Sequence, residues 1–407
     1  MTREEKKILG LTISAHGLVH LYEGVLPPLI PLLMSEFGTD YFHLGMVVTV
    51  FSYAYGLGAL PAGFLADRVG PLRLVSIYLF GAGLFSVCIW PVRSLWTYGV
   101  LMGLIGMFCS PYHPASNTLI SHTVRERGEA FGIHGISGSL GTAIVPVLAA
   151  WIGLSMGWEA PHVIFGIFGI GVGFYSLTVA RQWAGARSAA LARQPEGDQG
   201  EVLYLNLIAF FLSACALGLT YRGVMTFLPA YMGQNVHLSF LRLEAVALGG
   251  TVTTLALLSG SVGQYLAGRL VDRYEPEKLY LGTLVIGTVF VLLMAQASNI
   301  LLVASAILYA FFFFSTQPIQ NYLIASYLPK HRRGLGYGIH FFLVFGVGST
   351  AAAVSGYLAD RFGLESVFYA MALCFGIASC LAWFLVIRAR TQRRKGVYHK
   401  SVRDEKG

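Results

Sequence analysis

The sequence predicts an all-α integral membrane protein whose twelve transmembrane helices form two pseudo-symmetric six-helix bundles. Three observations carry that expectation. The chain is 55% hydrophobic and only 12% charged over 407 residues, with a mean hydropathy of +0.64, a balance too apolar for a soluble chain of this length. About twelve apolar runs are long enough to cross a bilayer, which takes about 20 residues at about 1.5 Å each. The second half of the chain also repeats the first in register.

In chain order the runs fall near 8–34, 42–66, 72–92, 95–122, 129–153 and 160–181, then 202–232, 243–268, 278–298, 300–328, 334–358 and 365–388. The first reads ILGLTISAHGLVHLYEGVLPPLIPLLM and carries His16, His20 and Glu23. At about 100° per residue, spacings of four and three put them on one stripe. An ionisable group at membrane depth costs roughly a few to more than ten kcal/mol unless it faces a polar cavity. The stripe therefore reads as a functional site, with packing against neighbouring helices as the alternative.

The second run leaves the membrane through GFLADRVGPLR. The fourth carries His113 and Asn117 around Pro114, and the tenth repeats this with Gln317 and Asn321 around Pro318. A proline in a membrane helix frees backbone carbonyls that then line a cavity, so these four residues are candidate substrate contacts. The fifth and eleventh runs begin RGEAFGIH and RGLGYGIH, placing His134 and His340 about two turns in, where an inner-gate role and simple helix-start packing are both open.

The segment RQWAGARSAALARQPEGDQGE has no apolar periodicity and marks the midpoint. The expected organisation is a first half at 1–182, a cytoplasmic linker at 183–201, a second half at 202–390 and a basic tail at 391–407. HPASNTLI (113–120) answers QPIQNYLI (317–324), RGEAFGIH (127–134) answers RGLGYGIH (333–340), GFLADR (63–68) answers GRLVDR (268–273), and YEGV (22–25) answers YRGV (221–224). Four matches at nearly constant offset indicate duplication. A further string, GYLADRFG (356–363), falls on the opposite side of the membrane from GFLADRVG, as inverted three-helix repeats within each half would place it.

Of the 28 Lys and Arg, 24 fall on the side of both termini, leaving Arg93, Arg242 and Arg361 on the other side and Arg222 within a helix. Both termini are therefore expected in the cytoplasm, in a multi-pass protein of the inner, cytoplasmic membrane. The net charge of +8 is a topology signal, and the tail RARTQRRKGVYHK suits anionic lipid headgroups better than nucleic acid. The five cysteines, at 88, 109, 215, 374 and 380, lie in apolar runs without paired spacing, so neither a disulfide framework nor a metal knuckle is indicated. The first helix is too long and too polar for a cleaved signal and is read as retained.

GFLADRVGPLR resembles the signature loop of the major facilitator superfamily. Within it, SAH (14–16), PLL (31–33), YHPA (112–115) and GISGSLGTAIVP (135–146) resemble the fosmidomycin-resistance exporters. Ala115 stands where that family has Glu, and His20 where Asp is expected. The resemblance implies the major facilitator fold, export of a small organic compound or drug by proton antiport, and a gate latch formed by Gly63, Asp67, Arg68 and Gly70 that holds the halves closed on the inside. Asp272 and Arg273 are the second-half equivalents, in a less complete loop.

Glu23 and Arg222 occupy equivalent places in the YEGV/YRGV match, and a two-fold axis between halves brings such places together. Opposite charges there suggest a pair across the cavity, since each alone would be costly to bury. The alternative is that both face a wet cavity without touching. His16, His20, Glu23 and His113 also form a candidate metal set, although histidine serves equally well to carry protons.

Catalysis is not expected. An HExxH helix needs Glu directly after its first His, where Gly17 stands, and no GxSxG or phosphate loop is present. No cofactor is expected. The expected partners are a small-molecule substrate, protons and the bilayer, with the chain acting as a monomer by alternating access. A divalent metal or metal-chelate carrier and a non-transporting membrane sensor are the alternatives.

Overall fold

The computed structural model describes residues 1–124, 127–183, 202–237, 243–329 and 332–394. The expected linker and most of the basic tail lie outside the described residues. Among the described residues fifteen α-helices make twelve crossings, because three crossings are broken. The first half comprises α1 (Arg3–Gly24), α2 (Leu26–Phe37), α3 (Tyr41–Val69), α4 (Pro71–Val87), α5 (Leu95–Cys109), α6 (Tyr112–Thr123), α7 (Arg127–Met156) and α8 (Ala160–Trp183). The second comprises α9 (Tyr204–Asn235), α10 (Ala245–Leu270), α11 (Pro276–Met294), α12 (Asn299–Tyr327), α13 (Arg333–Phe341), α14 (Thr350–Phe362) and α15 (Glu365–Arg394). Ten segments are long and apolar enough to span a membrane; α4 and the α5–α6 pair complete the twelve.

Two of the breaks have a local cause in proline. Pro27 and Pro28 lack the N–H groups that would bond to the carbonyls of Glu23 and Gly24, so α1 ends at Gly24 and α2 restarts at Leu26. Pro111 likewise leaves the Met107 carbonyl short of its donor, and Ser110 Oγ donates to it instead at 2.8 Å. In the eleventh crossing α13 passes into a π-turn at Phe342–Gly346 and a 3₁₀ turn at Val347–Ser349 before α14. This irregular backbone is covered on both sides: a Cβ added at Gly56 of α3 would come within 2.8 Å of Gly346 N, and one at Gly218 of α9 within 2.6 Å of the Val344 oxygen. Irregular backbone at membrane depth is tolerated when buried in this way.

The string GFLADRV is not a loop. It continues α3 to Val69, and the chain turns only at Gly70, whose φ of +94° requires glycine. The surroundings of Gly63 and the side chain of Asp67 lie outside the described residues. Asp272 and Arg273 sit exposed in the turn after α10.

Twelve crossings put the start of α1 and the end of α15 on one face, here the terminal face. Among the described residues, the hydrogen bonds found between the halves run from the opposite, far face to mid-depth. At the far face, Tyr41 N and Phe42 N donate to the two Asp360 carboxylate oxygens at 3.1 and 2.8 Å, Gln234 donates to Tyr41 Oη at 2.9 Å, and Trp151 Nε1 to Thr251 Oγ1 at 3.1 Å. Deeper, Thr49 Oγ1 donates to the Ser349 oxygen at 3.1 Å, and Ser139 Oγ to Gln264 Oε1 at 2.6 Å. The first amides of α3 are thus capped from the other half of the protein. The next, His43 N, is capped locally by Asp40 Oδ1 at 2.9 Å. Partial burial pushes the Asp40 carboxyl up, but the bonds from His43 outweigh it and leave Asp40 below its ordinary value.

On the terminal face Arg393 pairs with Glu277 at 2.9 Å and with Glu275 at 2.5 Å. Burial raises Glu275, yet Lys278 and Arg393 bring it below the ordinary range. This corrects one part of the tail's expected role: Arg393 holds the end of α15 to the start of α11 rather than standing free for lipid.

Candidate functional site

α1, α6, α7 and α9 cross at mid-depth and bring together side chains far apart in sequence. Arg222 Nη2 of α9 donates to Glu23 Oε1 of α1 at 2.7 Å, with both side chains only 5% exposed. The two positions matched by the repeat therefore meet across the halves. The other carboxylate oxygen, Oε2, lies 3.1 Å from His20 Nδ1, so both oxygens of Glu23 are engaged.

Glu23 is the penultimate residue of α1, one turn before the Pro27–Pro28 break.

His16 is set by α7. Its Nδ1 lies 2.6 Å from the His134 carbonyl oxygen, which can only accept, so Nδ1 carries the proton. The His134 ring stacks on His16 at 4.2 Å and 19°. Gly138 makes room for this: a Cβ there would lie 2.5 Å from His16 Nε2. His113, at the start of α6, presents its ring edge-on to His16 at 5.2 Å and stacks on Phe341 at 5.9 Å.

On the terminal side of the Glu23–Arg222 pair is a cavity of about 200 Å³. His16, His20, His113, Tyr221, Gln264, Gln317, Gln320, Asn321 and His340 contribute its polar lining, and Phe313, Phe314, Phe341 and Phe345 its aromatic walls. A second space of about 40 Å³ lies beside the pair and is lined by Glu23, Arg222, Thr142 and Pro146 among others. A polar chain crosses the cavity wall from Ser139 through Gln264, whose Nε2 donates to Gln317 Oε1 at 3.0 Å.

Several expectations need correction. Asn117 is exposed and lines neither space; four residues beyond His113 it is about 6 Å further toward the terminal face. Glu23 does not belong with the candidate metal ligands, because its oxygens are held by Arg222 and His20. The ring nitrogens that cluster are those of His16, His20 and His113. The His134 ring stacks on His16 and its carbonyl accepts from His16 Nδ1, which joins it to this cluster. His340 lines the cavity and lies 3.3 Å from Gln320 Oε1.

Sequence reasoning missed Gln264 and Gln320, both glutamines in membrane helices, where polar side chains are rare enough to have been a signal. It also passed over Asp360, although the inverted GYLADRFG string contained it.

A family model described as the Major Facilitator Superfamily matches residues 12–249 and 207–403. The probable L-galactonate transporter of Escherichia coli (strain K12) is 24% identical over 59% of this chain, a match spanning 55% of that relative's length. The D-galactonate transporter of Escherichia coli O6:H1 is 25% identical over 81% of this chain and 84% of its own. Among solved structures, a bacterial homolog to human lysosomal transporter Spinster, in an inward-facing and unoccupied conformation, superposes with a TM-score of 0.76 at 12% identity. That match covers 99% of this chain and 100% of the other, and the likeness is one of fold.

Proposed function

This chain belongs to the Major Facilitator Superfamily, and on that footing we propose that it carries a small organic anion across the membrane by alternating access, coupled to protons. The observation that carries this reading is the buried Glu23–Arg222 pair, which joins the two halves at the edge of the 200 Å³ cavity. A substrate carboxylate that competes for Arg222 leaves Glu23 to His20 and a proton, and the tie between the halves is released. Each half of the cycle then has a different occupant for the same cation. The relatives named above are described as galactonate transporters, which favours a hydroxy acid over the drug cargo expected from the exporter resemblance. Gln264, Gln317 and His113 supply hydroxyl-binding groups around such a ligand.

In this reading the protein is a transporter rather than an enzyme and acts as a monomer. It sits in the cytoplasmic membrane with its terminal face inside, a placement the Lys and Arg distribution supports. The latch of Gly63, Asp67, Arg68 and Gly70, with Asp272 and Arg273, forms when the terminal face closes.

Labelled D-galactonate in proteoliposomes tests the proposal. We expect counterflow, and accumulation when a pH gradient is imposed; Glu23→Gln keeps counterflow but loses the pH-driven accumulation. Absence of counterflow across a panel of sugar acids, aldarates and sulfonates would overturn the substrate class. Accumulation driven only by sodium would overturn the proton coupling.

A further inference from the structure

We propose that His16, His20 and His113 form a three-nitrogen binding site for a borderline divalent cation such as Zn²⁺, with the cavity supplying the fourth ligand. This inference does not rest on the organic-anion reading. One ring nitrogen from each of the three lies within 4.8 Å of the others. A four-coordinate zinc holds ligand nitrogens about 2.0–2.1 Å from the ion, hence about 3.4 Å apart. Small side-chain rotations therefore close the site.

The surroundings of the rings separate this cluster from a chance meeting of histidines. His16 Nδ1 donates to a backbone carbonyl, and His20 Nδ1 faces a carboxylate that Arg222 keeps in place. With Glu23 ionised in its pair with Arg222, neither acceptor has a proton to give, so the neutral rings carry their proton on Nδ1 and leave Nε2 as a lone pair. Carbonyl and carboxylate acceptors behind the metal-free nitrogen are the usual second shell of histidine–zinc sites, where they set the tautomer and raise ligand basicity. Among the described residues, the ring nitrogens of His113 have no hydrogen-bond partner.

The three histidines come from two helices, α1 and α6, of the same half. The site is therefore expected to persist when the halves move. All three line the cavity, which leaves the fourth position open to water or to an oxygen of an anionic ligand, as in zinc sites that keep an exchangeable position.

The test is a titration of the purified full-length protein with Co²⁺, whose visible absorption reports its coordination. We expect one ion per chain, with the intense bands of a four-coordinate ion, displaced by Zn²⁺. His113→Ala and His16→Ala should abolish the bands while keeping the far-ultraviolet circular dichroism of the parent. Glu23→Gln, which removes the carboxylate behind His20 together with the Arg222 ion pair but no ligand nitrogen, should weaken binding about 10–100-fold. His43→Ala, on the far face, should keep the bands. The proposal falls if the unmodified protein shows no bands with Co²⁺, or if their intensity survives in both ligand variants.

Discussion

Removing Glu23 or Arg222 should destabilise the protein unequally, and removing both should recover part of the loss. The two side chains are 5% exposed and 2.7 Å apart. Truncating one partner of a buried pair typically costs about 3–5 kcal/mol, while replacing both is often near neutral. The structure adds an asymmetry that a bare pair would not have. In Arg222→Gln the Glu23 carboxylate keeps His20 at 3.1 Å, and a hydrogen bond to a charged group is worth about 1.5–3 kcal/mol. In Glu23→Gln the Arg222 guanidinium keeps mainly the face of Tyr221, 5.6 Å from the ring centroid, and a cation–π contact contributes about 0.5–2 kcal/mol. Glu23→Gln should therefore be the less stable single mutant. The double mutant should melt above it, which requires a coupling larger than the Arg222→Gln loss, about 3 kcal/mol or more. Thermal melts of the four detergent-purified proteins measure this. Additive losses, or Arg222→Gln as the less stable single mutant, would refute the reasoning.

Two further predictions concern the elements that position the site and the far face. Gly138→Ala puts a methyl group 2.5 Å from His16 Nε2, so it should cost about 1–3 kcal/mol and abolish transport; a variant with the parent's melting temperature and flux would show that His16 is not held by α7. Asp360→Asn removes the charge and one of the two acceptors that cap α3 across the halves. The loss of about 1 kcal/mol expected for a cap should shift the balance about five-fold toward the far-face-open state. Distances between spin labels on either side of that face would reveal the shift, and an unchanged distribution would show that the Asp360 cap does not hold the far face closed.

Bilayer thickness made the twelve crossings legible, because every spanning segment must be apolar over the same length wherever it sits in the fold. The internal repeat made the Glu23–Arg222 pair legible, since symmetry converts a match along the chain into a meeting in space. Those two kinds of information are local or periodic, and the remaining features are neither. Whether GFLADRV was loop or helix depended on where α3 ran out of packing, and only the positive φ of Gly70 ended it. His134 could be placed one helical turn or several from His16 on equal grounds; the rotation of α7 against α1, permitted by Gly138, stacked them. The same packing put Gln264 and Gln320 at the cavity and left Asn117 outside it. The breaks at Pro27–Pro28 and Ser110–Pro111, and the π-turn at Phe342–Gly346, reset helical phase at the depth of the site, so a stripe read at 100° per residue stops predicting neighbours there. Asp360 shows the same limit from the other side: its string was visible, but which helix N-terminus it capped was decided by how the two halves came together.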